Sequence, residues 1–391
     1  MKVLAAIVAS LVLLMALAVV PLPIRPYLDF QVIYHANLGL LRGIPLYDHA
    51  GQVEMIAELA HVPSDQVFVL PFPYPPWYAL STLWLALVPI YVAARLWFGL
   101  NLIMLIVSVW LLIGGRTSSA RLPLYGVAIL WAPVLGSLFV GQYTFPVLLG
   151  AALLVHALRK NSVILTACAA ALLTFKPHLG GLILLMALIH LWSRRDRFGR
   201  RALAAVLLTG VVLFAVGYLA SPGWPLAYFR SLTGFRDVSQ CHQCVSVPMI
   251  LAGVAGGGLS QAVWISAVLG VLACVWLVQN WRSLTSDAGQ LVTAGVLLTF
   301  LISPYLQNYD YLLLLVAFLE LSRSAKGSDW VWIALAFLVP LLSLVLLGTA
   351  GNVWLVLSAS VLFVHFALRS TNFPPASASG MTRTVRSRRS P

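Results

Sequence analysis

The chain has 391 residues, 61% of them hydrophobic and 9% charged, with a net charge of +13 and a mean hydropathy of +0.95. Soluble domains carry about 25% charged residues. A chain this apolar cannot cover itself in water, so its solvent is a bilayer, and the basic excess reads as the sorting of Lys and Arg to cytoplasmic loops rather than as a nucleic-acid partner.

The first segment, Val3 to Leu22, follows a single Lys2. Its apolar core is long for a signal peptide and no small-residue cleavage site follows, so it reads as a retained transmembrane helix. The loop 23–76 comes next and holds the first acidic residue, Asp29. Apolar positions at Phe30, Ile33, Tyr34, Leu40 and Leu41 predict an amphipathic helix on the membrane, ended by Gly43 and Pro45. Asp29 then fits the N-cap of that helix, a role worth ~1 kcal/mol. It equally fits a catalytic carboxylate, and the two roles can coexist. The stretch FPYPPW (72–77) is stiffened by its prolines, and Tyr74, Trp77 and Tyr78 suit an interfacial aromatic belt.

Further apolar runs fall at 77–92, 96–114, 143–158, 162–175, 178–192, 202–220, 260–279, 288–303, 309–323, 329–347 and 352–369. With the first segment they predict an all-α polytopic protein of about 12 spans, several shorter than the ~20 residues that a perpendicular helix needs. The run 122–141 is broken by Pro133 and Gly136 and reads as a re-entrant or broken segment on the outer side, not as a span of its own. Placing Arg159–Lys160, the arginines of 194–201, Arg323/Lys326 and the tail after Arg369 inside puts 23–76, 221–259 and 303–310 outside. Residues 1–370 then form one transmembrane domain with two large outer loops, 23–76 and 221–259. The Ser/Pro/Arg-rich tail 371–391 is predicted to be a disordered cytoplasmic segment.

Polar residues at the outer helix breaks are the candidates for chemistry. VGQYTFP (140–146) contributes Gln142, and FKPHLGG (175–181) contributes Lys176 and His178. Lys176 either snorkels to the interface or, with His178, binds an anionic headgroup or phosphate. ISPYLQNYDY (302–311) places Asn308 and Asp310 at a break between two spans, as a helix cap or as part of a site. Cys241 and Cys244 are two residues apart with His242 between them. Without a second ligand pair, a small disulfide loop or two free thiols suits them better than zinc. No P-loop, nucleotide-binding glycine fingerprint, HExxH or GxSxG occurs.

Five motifs in order, LLRGIPLYD, FPYPP, GQYTFPVLLGAALL, TFKPHLGGLILL and SPYLQNYDYLLLL, together resemble glycosyltransferase family 87 of the GT-C superfamily, over about residues 20–325. The resemblance implies a GT-C fold of about a dozen helices in the plasma membrane with the active site facing outward. It implies inverting transfer of a hexose, typically mannose, from a polyprenyl-phosphate carrier to a glycolipid or glycan hydroxyl. Asp29 is the residue that matches the superfamily's carboxylate base in the first outer loop. Lys176, His178 and Arg42 are the candidates to balance the donor phosphate, and Asp310, Asn308, Gln142 and Tyr74 to contact substrate. Where some members carry His-rich turns, this chain has Gln307-Asn308-Tyr309-Asp310. No cofactor is called for, and a divalent metal has no ligand cluster to support it. The expected partners are the lipid-linked donor, a lipid or glycan acceptor and membrane lipids. A transporter or flippase of polyprenyl-linked sugars is the rival reading, weakened by the absence of repeat symmetry.

Overall fold

The structure, a computed structural model, describes residues 2–20, 26–114, 118–239 and 244–371, and all regular structure among them is helical. Helix α1 (Lys2–Val19) is followed in the chain by α2 (Leu28–Leu41), α3 (His49–Ala60), α4 (Pro76–Thr82) and a 3₁₀ turn at Leu83–Leu87. There follow α5 (Ile90–Ile113), α6 (Ser118–Leu130), α7 (Ala132–Val140), α8 (Thr144–Lys160), α9 (Val163–Leu173), α10 (Pro177–Ser193) and α11 (Arg197–Ala220). The 221–259 stretch carries α12 (Trp224–Ser239) and α13 (Val247–Val254). The rest is α14 (Leu259–Leu284), α15 (Ala288–Ile302), a 3₁₀ turn at Asn308–Leu313, α16 (Leu314–Ser324), α17 (Asp329–Leu347) and α18 (Val353–Thr371). The tail beyond Thr371 lies outside the described residues.

Three expectations change. Among the described residues only α5, α11, α14 and α17 are long and apolar enough to cross a bilayer alone, with a fifth crossing if the bent pair α6/α7 is one span. The other apolar helical stretches, Ser10–Val19, Val163–Leu173, Pro177–Ser193, Ala288–Ile302 and Val353–Arg369, have 10–17 residues, about 15–25 Å at 1.5 Å per residue, short of a core ~30 Å thick. Second, 77–92 is not one span. Pro89 occupies the N-cap of α5, so the seven-residue α4 and the 3₁₀ turn end before it and the long helix starts at Ile90. The broken segment is real: Pro133 sits in the first turn of α7, and the two helices bend by 64° about Trp131. Third, α2 does not merely lie on a surface. Phe30, Val32, Ile33, Ala36 and Asn37 are all buried, and the helix packs against α3, α4, α5 and α7.

Polar groups gather at both ends of the central helices α5, α8, α15 and α16. At one end Arg159 of α8 reaches Asp287 at the N-cap of α15 (3.0 Å) and Glu320 of α16 (2.7 Å). Arg323 joins Glu320 at 3.1 Å and donates to the Leu112 carbonyl near the end of α5. The opposite end, about 22 Å along α8, holds the candidate site.

Close backbone packing fixes that second end. Gly180, in the first turn of α10, lies so near α9 that a Cβ would overlap the Leu173 backbone carbonyl. The prediction is that Gly180→Ala pushes α9 and α10 apart, lowers the melting temperature in detergent and reduces the folded yield, whereas Gly181→Ala, which meets open space, leaves both near wild type.

Candidate functional site

Asp29 is not a helix cap. The N-cap of α2 is Tyr27, with no side-chain cap bond, and Asp29 lies in the first turn. Its carboxylate is turned inward toward Gln142, Lys176 and Asp310. Burial pushes its pKa above the ordinary carboxylate value, the Gln142 amide and the Lys176 charge pull it back, and Asp310 raises it. Tyr74, Tyr143 and Tyr309 also face it. Tyr74 packs edge-on against Tyr143, with ring centroids 4.7 Å apart.

Gln142 arrives on the turn between α7 and α8. Gly141 there has φ +75°, and a Cβ on it would sit 2.8 Å from Cβ of Phe30, so glycine lets the turn press against α2. Trp97 Nε1 donates to the Gly141 carbonyl (2.8 Å) and Asn101 Nδ2 to the Gln142 carbonyl (3.2 Å). Both donors come from α5, so the turn is held from two sides.

Lys176 is the N-cap residue of α10 and is buried, as is Asp310. Its Nζ donates to Asp310 Oδ1 (2.6 Å), Thr144 Oγ1 (3.1 Å) and Gln142 Oε1 (3.2 Å), so three protons meet three acceptors. The Tyr309 ring lies 4.8 Å from Nζ. Asp310 Oδ2 accepts the Gln307 N–H at 2.9 Å. Asp310 is therefore both a cap of its own turn and the partner of Lys176. His178 Nε2 stands 3.8 Å from Asp310 Oδ2, and the His178 ring is edge-on to Tyr305.

A cavity of about 700 Å³ opens beside this cluster. Tyr74, Lys176, His178, Tyr309 and Asp310 line it, together with the apolar side chains of Leu232, Leu259, Val263 and Trp264. The chain thus brings together Asp29, Tyr74, Gln142, Lys176, His178 and Asp310. It does not bring Arg42, which ends α2 about 20 Å from Asp29, is exposed and lines a separate groove with Asp48, Glu54 and Glu58. Nor does it bring Asn308, which lines a small pocket with Pro133 and Gly136. Among the described residues no group of three His, Cys, Asp or Glu side chains is placed to hold a metal.

Sequence reasoning missed Thr144 and Tyr309, although both sit inside the motifs singled out. It also missed the wall from α14, where Val263 and Trp264 read as ordinary span residues. Cys244 is disulfide-bonded, while Cys241 lies outside the described residues. The segment after Cys244 docks on the Asp310 turn: the Val245 N–H donates to the Leu306 carbonyl and Tyr311 Oη to the Val245 carbonyl, both at 2.8 Å.

Removing one member of a buried ion pair strands the other, at about 3 kcal/mol or more. Lys176→Met is therefore predicted to lower thermal stability sharply by leaving Asp310 unpaired. The double variant Lys176→Met/Asp310→Asn recovers much of that loss, since neither charge is then buried alone. Melting of the purified proteins in detergent, single against double, is the measurement.

The family model for glycosyltransferase family 87 matches residues 72–304, more than half of the chain. Gln142, Lys176 and His178 fall inside the matched stretch, and Asp29 and Asp310 outside it. No curated protein and no solved structure matches the chain. On the family match and its apolar helices, the chain belongs to glycosyltransferase family 87 and is a membrane glycosyltransferase.

Proposed function

We propose that the cavity takes a polyprenyl-phosphate-linked hexose, mannose by the family resemblance, and that the sugar passes with inversion to a hydroxyl of a glycolipid or glycan acceptor. The observation that carries this reading is the convergence of Asp29, Lys176, His178 and Asp310, from three separate stretches of chain, beside a cavity lined by both charged and apolar side chains. A lipid-linked phosphate sugar has the same two-part character.

In the proposed step the acceptor oxygen attacks the anomeric carbon as its proton passes to the Asp29 carboxylate. The bond from that carbon to the phosphate oxygen breaks, and polyprenyl phosphate leaves with the electron pair. Positioned base help of this kind contributes roughly 10²–10⁴-fold. His178, the half-exposed cation candidate on the cavity wall, meets the phosphate first. Lys176 stands behind it, already committed to three acceptors, and supplies positive charge at short range without a free proton.

The reading includes a GT-C-type arrangement with the site outside. The two departures from the expected span list cancel. The 77–92 stretch drops out as a crossing and the bent α6/α7 pair replaces it, so every later loop keeps its side. The Arg159–Lys160 loop and the arginines of 194–201 stay inside, and all six clustered residues stay outside.

Asp29→Asn keeps the size of the side chain and removes the base. It is predicted to lower kcat by at least ~10²-fold, with unchanged elution from size exclusion. The assay uses purified enzyme in lipid with polyprenyl-phosphate mannose and an envelope-lipid extract, and follows release of free polyprenyl phosphate. Movement of the intact donor across the bilayer with no release would instead identify a transporter.

The pH dependence follows from the direction of the Asp29 shift. A base must be deprotonated to act, and burial raises its pKa above the ordinary carboxylate value of 3.8. The kcat/KM is therefore predicted to fall on the acid side with a midpoint above that value and to be full at neutral pH or above. An acid limb at the ordinary value, or none, would count against Asp29 as the base.

A further inference from the structure

Gln142 is completely buried. Its Oε1 accepts from Lys176 Nζ at 3.2 Å and from the Tyr143 backbone N–H at 3.3 Å. Two donors on the oxygen fix which way the amide points, so Nε2 must face away from Lys176. There it is buried with no hydrogen-bond partner of standard geometry. An unpaired buried amide donor is costly, about 1–3 kcal/mol, and in a turn tied down by Trp97, Asn101 and Gly141 it cannot relax away. What it faces is the carboxylate of Asp29.

From this geometry we infer that Gln142 is a positioning residue: Lys176 orients its amide, and the amide N–H holds the Asp29 carboxylate ionised and oriented to accept the proton. The inference rests on the proposed role of Asp29 and deepens it. Lys176 then acts on the base through Gln142 as well as by charge. Because the oxygen end is saturated, the nitrogen end stays available to tighten onto Asp29, or onto an acceptor hydroxyl shared with it, when substrate arrives.

The other groups facing Asp29 are Tyr74 before α4, Tyr143 at the start of α8, Tyr309 and Asp310 on the 3₁₀ turn, and Lys176 at the N-cap of α10. Tyrosines stay neutral across the carboxylate range, and Lys176 with Asp310 forms a pair of no net charge. Gln142 is therefore the neutral donor whose removal changes the Asp29 titration without changing the charge of the site.

The test is an infrared titration of purified protein, with the Asp29 carboxyl band identified by its loss in Asp29→Asn. Gln142→Met keeps length and removes the N–H, and is expected to raise the Asp29 midpoint by about one pH unit. Gln142→Leu also removes the N–H without adding charge. It is expected to raise the midpoint by a similar amount, and it decides the matter if the Met variant does not fold. In the transferase assay the acid limb of kcat/KM moves up by the same amount, and activity recovers toward high pH. A folded variant whose midpoint stays at the wild-type value overturns the inference. Should Asp29→Asn remain active, the base assignment fails, while the infrared midpoint still decides whether Gln142 controls that carboxylate.

Discussion

The buried contact between Lys176 and Asp310 is the interaction on which the site depends. Two charges taken out of water need close approach and full hydrogen bonding to be tolerated. Here the ammonium has three acceptors, and the carboxylate has the Gln307 N–H on its second oxygen. The acceptors come from the α7–α8 turn, the start of α8 and the turn before α16, while the lysine opens α10. One pair thus ties one end of three hairpins together. The Arg159, Asp287, Glu320 and Arg323 network does the same work at the far end of α8, α15 and α16.

Much of this arrangement was legible in the sequence, for a definite reason. A charged or amide side chain at a Pro- or Gly-marked break in apolar sequence has few places to go except a shared polar pocket. Gln142, Lys176, His178 and Asp310 all carry that mark, and all four meet. Arg42 carries the charge but sits at the far end of α2, and only the length of that helix says so. Asn308 sits on the right turn, but Tyr309 and Asp310 line the cavity beside Lys176 while Asn308 lines the small pocket with Pro133 and Gly136. Asp29 is the instructive case. Cap and base were both open from sequence, and the observed helix start at Leu28, two residues earlier than a cap requires, frees the carboxylate from the backbone.

The span count was less legible because hydropathy cannot tell a helix that crosses lipid from one that is apolar through burial in protein. The 77–92 run is apolar because α4 packs under α2 and beside α11. Its prolines, at 76 and 89, punctuate it more strongly than its composition joins it. Conversely the α6/α7 pair is a continuous apolar stretch whose bend at Trp131 follows from Pro133, with the Trp131 indole N–H fastened to the Tyr311 carbonyl at 3.1 Å. Both departures follow from proline, which removes a backbone donor and fixes φ wherever it falls.

The places of the four central residues have a consequence of their own. Asp29 is in the first turn of α2, Thr144 is the first residue of α8, Lys176 is the N-cap of α10, and Asp310 is in the first turn of the 3₁₀ segment that opens α16. All are N-terminal positions. Each helix directs the positive end of its dipole and its unsatisfied N–H groups toward the same point, about half a charge per helix. The backbone itself therefore makes the region electropositive and favours a bound anion, whatever the side chains contribute. That field has the same sign as the Lys176 charge and adds to it at the two carboxylates.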